Sequence, residues 1–237
     1  MPPSEPRPSP RAPSVLGVVL QIARKDLLVE WRSREILYTM SFFAVLVVVI
    51  FSFAFVGEGK SGAVAGGILW VVIPFAGVLG LGRAFDRERD GDTHQALLLS
   101  PASRAAIYLG KLLGVFIFIS LSELVVVPLL LLLFSLRASS PSLLGGLLLL
   151  GTLGFAAVGS LFAAPLMQSR SRDVLLPVLL FPIITPLVVA GAKGTAALLA
   201  GPGELAGAMV WLKLMAAFDL VFVALSLWAF GPLTRAE

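Results

Sequence analysis

Six long apolar runs occupy most of this chain: Ile36–Val56, Ala63–Leu81, Ala105–Phe134, Leu143–Leu166, Val174–Ala192 and Ala206–Phe230. A helix needs about 20 apolar residues to cross the hydrocarbon core of a bilayer. These runs are apolar all round rather than along one stripe, so they do not suit the surface of a soluble domain. Lipid offers the backbone no hydrogen-bonding partner, so each run must close its own bonds as a helix. The expected fold is an all-α polytopic membrane protein with six transmembrane helices. With 58% hydrophobic and 14% charged residues in 237, there is no room for a large soluble domain. The absence of cysteine excludes disulfides, thiolate metal sites and cysteine nucleophiles.

The charges sit between the runs and on alternating sides. One side collects Arg7, Arg11, Arg24, Lys25, Arg32 and Arg34 before the first run, and Arg83, Arg87, Arg89 and Arg104 after the second. Arg170, Arg172 and Arg235 follow on the same side, against only Lys60, Arg137 and Lys193 on the other. Basic loops stay in the cytoplasm, so both termini are expected there. The net charge of +4 therefore reflects topology and does not point to nucleic acid.

Residues 1–14 hold six prolines and no apolar run, the composition of a disordered cytoplasmic tail. In residues 15–34, Leu20, Ala23, Leu27 and Trp31 recur at helical spacing, which predicts an amphipathic helix lying in the cytoplasmic interface. Residues 35–237 are expected to form one six-helix transmembrane domain, whose longest cytoplasmic loop is 83–104. Glu123 and Pro128 interrupt the third run, which predicts a kink or break in its outer half. Pro177, Pro182 and Pro186 predict a bent or partly re-entrant fifth span. The outer loops, Gly57–Gly62, Ser135–Ser142 and Lys193–Leu205, are too short for an external binding domain. Thr152, Ala156, Ser160 and Ala164 recur every four residues along the fourth run, a stripe that lets another helix approach closely. This packing seam serves contacts within the subunit or between subunits.

The loop after the second run carries the richest local signal. Asp92 is an N-cap and Gln95 completes a capping box, so a short helix is expected from Thr93 to about Leu99, stopped by Pro101. A short capped helix between two spans has the form of a coupling helix, which seats on a cytoplasmic motor subunit. Candidate contacts are Asp92, Thr93, His94, Gln95, Leu97, Leu98, Ser100 and Pro101; alternatively, the leucines seat the loop on the membrane. His94 is the sole histidine, so this chain alone has no pair of imidazoles for haem. Glu123 and Asp219 are the acids deepest in the spans and mark a candidate intramembrane pathway, with Lys111 and Lys213 as candidate counter-charges. No Ser/His/Asp grouping, zinc-protease motif or Walker motif is present, so the chain is not expected to be an enzyme or to hydrolyse ATP itself.

Phe85-Asp-Arg-Glu-Arg89, Leu97-Leu-Leu-Ser-Pro101 and Ala106-Ile-Tyr-Leu-Gly-Lys111 resemble the haem exporter B family, the permease subunits of the cytochrome c maturation ABC system. Gly151–Gly159, Val174–Pro177 and Ala217–Leu220 are similar to later helices of that family, in the same order. The resemblance implies an ABC-2-like permease dimer in the bacterial inner membrane. It also implies a dimeric cytoplasmic ABC ATPase that holds the ATP, a haem-handling membrane protein, a periplasmic haem chaperone, and haem as the cargo of the complex, with no cofactor on this chain. Where the family usually shows Leu-Glu before the leucine run, this chain has His94-Gln95. Other readings are an ABC-2-type permease for a drug, lipid or glycan precursor, a proton-driven secondary transporter using Glu123 and Asp219, and a structural scaffold.

Overall fold

A computed structural model describes residues 14–55, 61–90, 102–166, 169 and 171–233. The helices are α1 (Val15–Ser33), α2 (Glu35–Ala54), α3 (Ser61–Asp90), α4 (Arg104–Leu133), α5 (Pro141–Leu166), α6 (Arg172–Ala200) and α7 (Leu205–Leu233). A single 3-10 turn, Pro202–Glu204, joins the last two, and no strand occurs among the described residues. Six helices, α2 to α7, are long and apolar enough to cross a bilayer, so the protein is a polytopic helical membrane protein.

Local chemistry sets the helix ends. Ser14 caps α1, its Oγ accepting from the Gly17 N–H at 3.2 Å. Ser103 does the same for α4 through the Ala106 N–H. Arg34 takes the left-handed conformation (φ 54°) at the α1–α2 corner, a position more often given to glycine. Its N–H donates to the Glu30 carbonyl, so α1 stops there and α2 starts at once in a new direction.

α5 is the central post: 72% of its spanning window is buried, against 28% in α2 and 17% in α7. It packs on α4, α6 and α7, while α3 lies along α6 and α1 lies along α4. The interior is keyed by Trp70 of α3, which is 1% exposed. Its ring lies against Gly151 of α5 and Gly191 of α6, where any Cβ would overlap the indole. Its Nε1–H donates to Thr195 Oγ1 at 2.9 Å. Absent side chains at two helix crossings therefore make the slot that the largest core side chain fills.

Three expectations need correction. α4 runs unbroken through Glu123 and Pro128, and α6 runs unbroken through Pro177, Pro182 and Pro186, so neither a break nor a re-entrant segment forms. Within lipid, leaving the helix would strand many backbone groups, whereas each proline costs one donor, so continuity wins. α6 also continues to Ala200, so residues 193–200 are helix rather than outer loop. Thr195 and Leu198 are buried there, and Ser139 bonds the Leu198 carbonyl through both its N–H and its Oγ.

Candidate functional site

Among the described residues the side-chain ion pairs gather at the end of the bundle where α1 lies. The buried face of α1 comprises Val19, Ile22, Ala23 and Glu30, while Leu20 and Trp31 of the expected apolar stripe are exposed and Arg34 sits over the Trp31 ring. α1 thus presents two acids, Asp26 and Glu30, to the bundle and leaves Leu20 and Trp31 on its outer side. Asp26 accepts from Lys111 Nζ of α4 at 2.9 Å and lies 3.0 Å from Lys25 Nζ. Glu30 is 1% exposed and fully engaged. Its Oε1 accepts from the Leu37 N–H of α2 at 2.9 Å, and its Oε2 accepts from Arg87 of α3 at 3.2 Å and from the Ser33 hydroxyl. A cavity of about 130 Å³ lies among Lys25, Asp26, Arg87 and Lys111 over Ile36 and Phe118.

The same end holds α6. Arg172, 3% exposed, donates to Asp86 of α3 and to Asp173. Arg83 and Glu35 pair at 3.4 Å, but both are more than half exposed, so that contact contributes little. Asp26, Glu30 and Arg172 are the functional-looking residues that sequence reasoning missed. The available signal was that two acids four residues apart, 26 and 30, share a helix face with Ile22.

The intramembrane acids have different surroundings from those expected. Lys111 pairs with Asp26, not with Glu123 or Asp219, and Lys213 is exposed on α7. Glu123 is 6% exposed and its Oε1 accepts from the Thr152 hydroxyl of α5 at 2.6 Å. It also lines an apolar groove of about 450 Å³ between α4 and α5, with Ser120. Asp219 is 4% exposed, and neither carboxylate oxygen has a hydrogen-bond partner among the described residues; its Oδ1 lies over Gly154, where a Cβ would overlap it. Thr152 and Gly154 are two residues apart, about 200° around the helix, so the two acids reach α5 from opposite faces. Removing the donor with Thr152→Val should cost about 1–3 kcal/mol, since Glu123 would be left buried and unpaired. Thermal unfolding in detergent measures this, and an unchanged midpoint would show that the bond carries no weight.

Thr152, Ala156, Ser160 and Ala164 are all buried inside the bundle, at 2% exposure or less. Among the glycines of α5, Gly151 and Gly154 leave the least room for a Cβ. Asp92, Thr93, His94, Gln95, Leu97, Leu98, Ser100 and Pro101 lie outside the described residues, as do residues 1–13 of the expected tail. Among the described residues no group of three His, Cys, Asp or Glu side chains could hold a metal ion.

Five apolar helices around a buried post, with ion pairs gathered at one end and two acids buried inside the bundle, make this a polytopic helical membrane protein. The family model described as CcmB protein matches residues 17–236, and this chain belongs to that family. It is similar to heme exporter protein B of Pseudomonas aeruginosa, at 28% identity over 211 residues, covering 89% of this chain and 94% of the relative. It is also similar to heme exporter protein B of Rhodobacter capsulatus, at 30% identity over 152 residues, covering 64% of this chain and 70% of the relative.

Proposed function

We propose that this chain is the permease subunit of an ABC complex for haem export and cytochrome c maturation in the bacterial inner membrane, with both termini cytoplasmic. The observation that carries this reading is the family match over almost the whole chain, supported by the names of the two relatives. A separate cytoplasmic ATPase dimer hydrolyses ATP and acts on residues 92–101; the permease works as two copies. A haem-handling membrane protein and a periplasmic haem chaperone complete the complex, and haem is its cargo. The ion pairs at the end of α3 and in the first turns of α4 support this reading, because they tie both flanks of residues 91–101 to α1 and α6.

Leu98→Asp is the direct test. A charge on the apolar face of the expected coupling helix should leave the permease folded and lower the yield of c-type cytochromes by about tenfold or more, given that a desolvated charge at an interface costs several kcal/mol. A normal yield overturns the coupling role. Co-purification of the unsubstituted chain from mild detergent, with mass spectrometry, tests the partners; an ATPase with unrelated neighbours would indicate an ABC-2-type permease for another cargo.

Glu123 and Asp219 form our candidate intramembrane pathway, on the observation that both are buried against α5 within one helical turn. A proton-driven secondary transporter would use the same two acids without an ATPase.

A further inference from the structure

Between α3 and α4 lies the segment 91–101, and both of these helices are tied to α1 by buried ion pairs. Arg87, near the end of α3, holds Glu30; Lys111, two turns into α4, holds Asp26. Glu30 also accepts from the first turn of α2. Steric fit reinforces the charges. Gly110 faces Ile22 so closely that a Cβ would lie 2.8 Å from the Ile22 Cβ, and one on Gly114 would lie 3.7 Å from the Asp26 Cβ. The side chains involved are little exposed: 8% for Lys111, 15% for Asp26, 28% for Arg87 and 1% for Glu30. An ion pair this far out of water does not open freely, since separating it leaves both charges poorly solvated.

We infer that Asp26 and Glu30 are positioning residues that clamp α1 to α3 and α4, so that a displacement entering at either flank of segment 91–101 moves α1 as part of the same rigid unit and reaches α2 through Glu30. This rests on the coupling reading above for its use, but the clamp itself is a property of this chain.

The absence of native cysteines permits a covalent test. Asp26→Cys with Gly114→Cys removes the ion pair and places two Cβ atoms at about 3.7 Å, within the disulfide range. The complex of this variant with its ATPase, in liposomes, should lose permease-dependent stimulation of ATP hydrolysis by about fivefold or more when reduced and regain it when oxidised, the size of a typical coupling. The detergent-purified chain supplies a readout without the ATPase. Hydrogen exchange across residues 15–33 should rise by about tenfold on reduction and fall on oxidation, as expected for a segment released to local opening. Full stimulation in the reduced form, or an oxidised form that binds the ATPase but is not stimulated, overturns the rigid-unit inference. Unchanged exchange in both states overturns the clamp. If no ATPase associates with the unsubstituted chain, the proposed function fails, and the exchange result still decides the clamp. Should the double variant not fold, the charge swap Asp26→Lys with Lys111→Asp replaces it: rescue relative to either single variant is expected, and no rescue overturns the pairing.

Discussion

Trp70→Ala is expected to destabilise the protein by about 3–5 kcal/mol, as for other fully buried aromatic truncations. The indole fills a slot that α5 and α6 make by having glycine at 151 and 191, so its loss leaves a cavity walled on two sides by glycine. The Thr195 hydroxyl loses its donor in the same step. Trp228, 74% exposed on α7, is the internal control: Trp228→Ala should shift stability by about 0.5 kcal/mol or less. Both variants can be compared by thermal unfolding in mild detergent. Gly191→Leu should reproduce the loss from the opposite direction, by overpacking. Equal midpoints for the two tryptophan variants would show that the slot is not the keystone of the α3–α5–α6 contact.

Asp219→Leu carries the opposite sign. Removing a buried acceptor with no partner among the described residues relieves a desolvation penalty, and an apolar residue of the same branched skeleton should raise stability by about 1–3 kcal/mol. Glu123→Leu should gain less, because the Glu123 carboxylate already has the Thr152 hydroxyl. The informative result is the pair of readouts together. A more stable Asp219→Leu protein that no longer supports c-type cytochrome formation is the expected outcome, and marks an acid retained for use at a cost in stability. A stabilised and fully active variant would remove Asp219 from the intramembrane pathway.

The six spans were legible in the chain because crossing lipid requires an apolar run of fixed length, and the observed helices begin and end within a few residues of those runs except where Ser61–Asp90 and Arg172–Ala200 extend beyond them. The extensions were hidden because charged or small residues, such as Arg83 and Asp86 or Lys193 and Gly194, end the apolar runs, while partners such as Trp70 for Thr195 are distant in sequence. Of the kink or break that Glu123 and Pro128 suggested, only the break is excluded, because leaving the helix within lipid would strand backbone groups. Partner choice was the least legible part. Lys111 sits among apolar residues of α4, and only the docking of α1 reveals that its counter-charge is Asp26, 85 residues away. Glu123 found Thr152, which the chain advertised only as a small residue in a seam.

The three prolines of α6 have a mechanical consequence. Pro177, Pro182 and Pro186 cannot donate to the carbonyls four residues earlier, those of Asp173, Val178 and Pro182, so the first half of α6 is missing three of the struts that resist bending. α5, beside it, has its interior proline only at Pro165, within its last turn. The bundle thus sets a compliant rod against a stiff one. Bending therefore breaks fewer hydrogen bonds in the first half of α6, next to the Arg172–Asp86 pair, than it would in α5.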